Sequence, residues 1–188
     1  MKKANKNDEE LRSLLHCKST EGAIKACKKC SAIDCCGVVK EGGEVEPPYL
    51  TQYDIAQIEF FTGLKKEQFA NVKRNPVTKK PLYLLRTNQD SGCIFFNADE
   101  GKCRIYSLRP IDCRLFPFDV EIVGNEYYWA FFKYKKCSDN VDAEDMRSLH
   151  LFKKRALMIF GDELRNYATQ PVPGMQKVGY ELLERIEL

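Results

Sequence analysis

The spacing of apolar residues along this chain shifts from a helical period to a two-residue period and back again, which divides it into three parts. A first helix is expected to begin near Asn7 or Asp8, with Leu11, Leu14 and Leu15 as its apolar stripe. Ser19-Thr20-Glu21-Gly22 breaks it, Ala23–Cys27 supplies one more turn, and residues 37–50 read as loop around Gly37, Gly42, Gly43, Pro47 and Pro48, with at most a short strand at Val38-Val39. Thr51-Gln52-Tyr53-Asp54 is a helix start, Thr51 capping and Asp54 suiting the positive end of the helix dipole. Ile55, Ile58, Phe61 and Leu64 then share one face, with Gly63 placed for a left-handed C-terminal cap. A second short helix over Lys66–Val72 stops before Pro76.

From residue 82 the pattern becomes strand-like. Leu82–Arg86, Cys93–Phe96 and Cys103–Tyr106 are short β runs separated by polar and glycine turns. Phe118–Val123 and Glu126–Tyr134 flank Gly124-Asn125 as a hairpin. Helical spacing then returns, from a cap at Asp139 to Asp142 through Met146, Leu149, Phe152, Ala156, Leu157, Phe160 and Leu164, with Gly161 weakening it. Pro171-Val172-Pro173-Gly174 breaks the chain before a final helix through Val178, Leu182, Leu183 and Ile186. Helices, a small antiparallel β region and helices again make an α+β fold. The expected organisation is a single domain over 1–188, with a cysteine-cluster core at 27–137 and a helical C-terminal part at 138–188.

Composition narrows the classes. A 188-residue chain, 44% hydrophobic and 30% charged, can bury a core without disulfide staples. Its N-terminus has no apolar run suited to a signal peptide, and no stretch approaches the roughly 18 apolar residues of a membrane span. A cytoplasmic location is therefore expected, where clustered thiols serve metal or redox chemistry, and an odd total of nine cysteines disfavours a closed disulfide set. The formal charge of +3 counts the thiols as neutral, and two four-thiolate sites loaded with Zn²⁺ or a 4Fe–4S cluster would bring it to about −1. Charge thus gives no case for a nucleic-acid partner, and hydropathy gives none for a membrane.

The cysteines carry the chemistry. Cys27-Lys-Lys-Cys30 has the spacing that brings two sulfurs to one metal through a tight turn. The same spacing serves thioredoxin-like pairs, but those follow a buried strand and would leave six other thiols without a role. Adjacent Cys35 and Cys36 point in different directions in a strand or a helix, which suits two centres, or one large centre reached from two sides. Cys93, Cys103 and Cys113 recur at equal intervals, which is expected to put one on each of three successive short elements of the β region, and Cys137 ends the hairpin that follows. Four and four thiols are enough for two Cys₄ sites, with Cys17 left over. Ferredoxin, zinc-ribbon and radical-SAM spacings are all absent.

These residues resemble the YkgJ-type cysteine-cluster family, a zinc- or iron-chelating domain named for a C-x-x-C-x-x-C-C motif. The likeness rests on Cys27, Cys30, Cys35 and Cys36, on Cys93, and on Cys103-Arg-Ile-Tyr-Ser-Leu-Arg109-Pro110-Ile-Asp-Cys113-Arg114-Leu-Phe116-Pro117-Phe. Leu50–Phe69 is similar to the helical insert between the family's two cysteine blocks. The front motif here is C-x-x-C-x₄-C-C, two residues longer than the family name. The resemblance implies an iron–sulfur cluster, of 4Fe–4S type, and/or zinc, held by Cys27, Cys30, Cys35, Cys36, Cys93, Cys103, Cys113 and Cys137. Flagellin lysine N-methylases share the motif, but no glycine-rich fingerprint for S-adenosylmethionine is present here, so that activity is not carried over.

Around the thiols, Arg109 and Arg114 are expected to support a thiolate cluster, largely on the strength of the resemblance, with ordinary ion pairs to Asp112 or Asp119 as the plainer reading. Pro110 and Pro117 fix the loop. His150, in register with Met146 and Leu157, reads as a core histidine rather than a ligand, and His16 beside Cys17 as a packed or exposed pair. Tyr127–Phe132 reads as a buried strand, and Glu41, Glu44 and Glu46 as solvated loop. Two functions stay open: a redox or accessory iron–sulfur protein, whose substrate or redox partner the sequence does not identify, and a zinc-stapled structural or binding module. No nucleophile, general base or cofactor loop decides whether the chain is an enzyme.

Overall fold

The computed structural model describes residues 47–88, 92–132, 142–168 and 180–187. Strand β1 (Tyr49–Leu50) leads into helix α1 (Gln52–Thr62) and a single helical turn, α2 (Lys66–Phe69), followed by strands β2 (Ala70–Arg74) and β3 (Pro81–Leu85). Four two-residue strands come next: β4 (Thr87–Asn88), β5 (Gly92–Cys93), β6 (Phe96–Asn97) and β7 (Lys102–Cys103). After a 3₁₀ turn at Tyr106–Leu108 and a short helix α3 (Ile111–Leu115), the hairpin β8 (Phe118–Val123) and β9 (Glu126–Phe132) precedes the long helix α4 (Ala143–Ala168) and strand β10 (Tyr180–Ile186). The strands form two three-stranded antiparallel sheets, β1-β3-β2 and β10-β9-β8, and two small ladders, β4-β5 and β6-β7. The α+β class expected from the sequence is what forms.

Strand β3 joins two apolar clusters because both its faces are covered. Leu82 and Leu84 enter a cluster with Ile111, Leu115, Phe118, Trp129 and the buried side of α4. Leu85 and Tyr83 lie with the second cluster, built on Leu50, Ile55, Ile58, Phe69, Phe95 and Ile105. The period of two along a strand makes this division automatic.

Helix α1 begins at Thr51, whose hydroxyl accepts from Asp54 N at 3.1 Å while the Asp54 carboxyl accepts from Thr51 N at 2.8 Å, a reciprocal capping box. It ends at Gly63, whose φ of 72° is the left-handed conformation a side chain would disfavour. The expected apolar face holds for Ile55 and Ile58, but Phe61 is 59% exposed and stacks edge-on against the exposed Phe60 at 5.0 Å. Three helical turns cannot carry every apolar residue of this segment to one side.

Three further expectations are corrected. The short helix stops at Phe69, not Val72, because Ala70 to Arg74 pair along β3 from Ala70↔Leu85 to Arg74↔Pro81. The runs at 93–96 and 103–106 are not continuous strands: the first turns at Ile94-Phe95 between β5 and β6, and the second is a strand only to Cys103. The final helix, and with it a wholly helical C-terminal part, gives way to β10, which pairs with β9 from Tyr180↔Phe132 to Ile186↔Tyr127. A short apolar run reads alike in either period, and the open side of β9 decides between them. The Phe118–Val123 and Glu126 hairpin stands as expected.

Helix α4 starts with Asp142 Oδ1 accepting from Glu144 N at 2.8 Å. Its buried stripe runs through Leu149, Phe152, Ala156, Phe160 and Leu164, while Met146 sits at the rim, 37% exposed. Next to Gly161 the helix kinks, Phe160 taking φ −115° and ψ 15°. Tyr167 packs flat on Tyr49, ring centres 4.6 Å apart, and donates to Leu50 O, which ties β1 and α1 to α4.

Candidate metal centre

Three of the predicted cysteines lie among the described residues. Cys93 ends β5 opposite Thr87, Cys103 ends β7 opposite Phe96, and Cys113 is central in α3. Cys93 and Cys103 pack against the second apolar cluster. Helix α3 stands on the first: Ile111 and Leu115, four apart and both buried, share the face turned to that cluster. Cys113 is two residues on from Ile111, roughly 200° around the helix, and so leaves that face. Its thiol is pushed well above the ordinary range, first by burial, then by Asp112 and Cys93, with Arg109 opposing and Cys103 adding to the rise. Cys93, Cys103 and Cys113 therefore share one electrostatic neighbourhood, although they come from three separate elements.

The loop that carries Cys113 is held at several points. Ile111 N donates to Asp54 Oδ1 at 3.0 Å, and Tyr49 N donates to Asp112 Oδ2 at 2.9 Å. Arg114 N and Phe116 N close the turn onto Pro110 O and Asp112 O. Pro110 precedes α3 in extended geometry and Pro117 follows a cis peptide bond, so both prolines sit where the loop changes direction. The sequence identified Asp54 as a helix cap only. Its second bond, to an amide 57 residues away, leaves no local signal.

The two arginines have different places. Arg109 lies with its guanidinium carbon 4.1 Å over the Tyr106 ring and its Nε donating to Tyr106 O at 3.2 Å, and its charge is felt at the Cys113 thiol. Arg114 stacks 4.4 Å over Phe152 of α4. Tyr106, which orients Arg109, had no role in the sequence reading.

A soft metal or an iron–sulfur cluster asks for thiolates, some shelter from water and nearby positive charge. The three thiols and Arg109 fit that demand in kind. They do not close a site alone: among the described residues, no group of three or more His, Cys, Asp and Glu is arranged to hold a metal ion. Cys27, Cys30, Cys35, Cys36 and Cys137 lie outside the described residues, as do Cys17, His16, Glu41, Glu44 and Glu46. His150 is not the expected core histidine. Its side chain is 45% exposed, with Nδ1 3.8 Å from Glu184 Oε1 on β10.

Residues 26–138 match the family model CxxCxxCC, described as "Putative zinc- or iron-chelating domain". The chain belongs to this CxxCxxCC family. The match takes in every cysteine except Cys17. An uncharacterized protein of Methanocaldococcus jannaschii is 33% identical over 85 residues, a stretch covering 45% of each chain, so this chain spans less than half of that relative. No solved structure matches the chain. Among the described residues, no helix is long and apolar enough to cross a membrane.

Proposed function

We propose that the protein holds an iron–sulfur cluster of 4Fe–4S type, and/or zinc, between two cysteine blocks, and serves as a redox or accessory protein of the cytoplasm. Cys93, Cys103 and Cys113 form one side of the centre, and Cys27, Cys30, Cys35, Cys36 and Cys137 supply the remaining sulfurs. The observation that carries this reading is the shared neighbourhood of three thiols from three elements, inside a segment that matches a chelating family. Arg109 suits either occupant, because a guanidinium beside several sulfurs offsets the negative charge that metal-bound thiolates carry. The metal-binding core at 27–137 belongs to one domain with the elements that follow it.

A zinc-stapled module is the second reading. The ladders β4-β5 and β6-β7 pair only two residues each, too few to be stable alone, and a metal would fasten them. Anaerobic purification followed by metal and acid-labile sulfide analysis separates the two. Iron with sulfide and broad absorbance near 400 nm supports the cluster. Stoichiometric zinc in a colourless protein that unfolds with chelator supports the staple. Neither metal nor sulfide, with the thiols all titratable, would overturn both.

A further inference from the structure

The segment 65–86 carries seven basic residues against the single acid Glu67, a surplus of six in a chain whose whole surplus is three. The rest of the chain is therefore net acidic, and the positive charge is concentrated on α2, β2 and the turn into β3. Lys65, Arg74, Lys79, Lys80 and Arg86 are exposed. Among the described residues β2 is the outer strand of its sheet.

The hydrogen-bond register fixes which of its main-chain groups face outward. Asn75 N donates to Lys80 O at 2.9 Å, and Arg86 N donates to Phe69 O at 2.8 Å. With Ala70 opposite Leu85 and Arg74 opposite Pro81, alternate residues of β2 bond to β3, so Asn71 and Lys73 turn inward. The N–H and C=O groups of Val72 and Arg74 then point away from the sheet. Val72, in the middle of this edge, is 65% exposed, as is Val77 in the turn.

We propose that the outer edge of β2 is a docking strand for an extended, acidic segment of a partner protein. The outward groups of Val72 and Arg74 pair with the partner's main chain, and the flanking lysines and arginines attract its carboxylates. Edge lysines also serve simply to keep sheets apart. Here, however, an exposed valine occupies the centre of the edge, and the charge extends beyond the strand to Lys65 and Lys80 on its two sides. A phosphate backbone could accept from the outward N–H groups but has no donor for the outward carbonyls between them, which favours a polypeptide, able to meet both, over nucleic acid.

The test uses the full chain, purified anaerobically with whatever metal it holds. A labelled peptide of about ten residues alternating Glu and Thr, able to pair as a strand, is compared by fluorescence anisotropy with an alternating Glu-Pro peptide and a single-stranded oligonucleotide of the same charge. The Glu-Thr peptide should bind most tightly and weaken with salt. Replacing Lys79 and Lys80 with Glu should weaken it further. Val72→Pro, which removes one outward N–H, should weaken it about tenfold, the worth of one hydrogen bond. Hydrogen exchange at the Val72 and Arg74 amides should slow when the peptide is added, a readout that needs no variant. Equal or tighter binding of the Glu-Pro peptide or the oligonucleotide, unchanged exchange at Val72 and Arg74, or no binding at low salt would each overturn the proposal, the last showing an edge that is only guarded or is filled by another part of this chain.

Discussion

Asp54, at the start of α1, accepts a 3.0 Å hydrogen bond from the backbone N–H of Ile111, at the start of the helix that carries Cys113. The same carboxyl closes the capping box with Thr51. One buried side chain thus fixes the first turn of one helix and the first amide of another, the helix that carries Cys113.

Asp54→Ala is expected to cost more than a cap. It removes the partner of the Thr51 amide and leaves Ile111 N buried without its acceptor, so about 3 kcal/mol of stability is expected to go, against about 1 kcal/mol for Thr51→Ala. Denaturant titration of the two variants compares the costs. Metal content should also fall in Asp54→Ala and stay near wild type in Thr51→Ala, since only the first releases α3.

Burial pushes Asp54 up to about 7, against the hydrogen bonds from Thr51 and Ile111 that favour its charge. Its folded value lies above its unfolded one, so between about pH 4 and 7 the folded state holds more protons than the unfolded state. This contribution to stability is complete below about pH 4 and is lost as the pH rises through 7, with a slope of at most about 1.4 kcal/mol per pH unit. Asp54→Asn should be less stable at every pH but lack this slope. Parallel denaturation curves for the two proteins between pH 5 and 7.5 give the difference, and equal slopes would assign the titration elsewhere.

Arg109 and Arg114 differ in what they face, so their variants should separate. Arg109→Gln removes the charge felt at Cys113 while the stack on Tyr106 can remain, and should weaken metal retention roughly tenfold, within the range for residues that support metal ligands. Arg114→Gln loses its contact with Phe152, costs about 1 kcal/mol of stability and leaves metal retention alone. Competition with a chelator measures the first effect and thermal unfolding the second.

Single Cys→Ser changes at positions 93, 103 and 113 should each lower bound metal, because serine keeps the volume but supplies a poorer ligand for soft metals. Cys17→Ser, outside the family match, should not. Metal analysis of the four purified variants decides it, and equal metal in all four would remove the described thiols from the centre.

Much of the fold could be read from local signals. Thr51 and Gly63 bracket α1 because capping chemistry is a property of a few adjacent residues. The hairpin around Gly124, and the stripe from Leu149 to Leu164, follow from period alone. What local pattern could not supply was decided by neighbours distant in sequence. Ala70 leaves its helix because β3 offers a pairing edge, and Leu182 and Leu183 lie in a strand because β9 does. The site divides in the same way. Equal spacing separated Cys93, Cys103 and Cys113 onto different short elements but read all three as part of the β region, whereas Cys113 lies on helix α3 and β6 stands between the other two. The anchors that fix α3, Asp54 to Ile111 and Tyr49 to Asp112, join residues more than fifty apart.

Lys153 offers the clearest packing test outside the thiols. It is almost wholly buried in α4, its ammonium 4.7 Å over Phe118 and 5.0 Å over Trp129, and it donates to Glu184 Oε1 at 2.9 Å. Glu184 lies where the β9–β10 register shifts, between Leu182 and Arg185, and this irregularity turns its carboxylate toward the helix. Lys153→Ala should cost about 3 kcal/mol, since it empties the aromatic cleft as well as breaking the pair. Lys153→Met fills the same space without charge and should cost about 1 kcal/mol or less. Glu184→Gln keeps a neutral acceptor at the surface and should fall between them. Lys153 holds the Glu184 carboxyl below its usual range, so the stabilisation from this pair should be present at neutral pH and fade as the pH drops through Glu184's lowered value. Unfolding midpoints for the three variants, measured at pH 7 and again at pH 3.5, check both parts: the order Met, Gln, Ala at neutral pH, and a smaller gap between wild type and Glu184→Gln in acid.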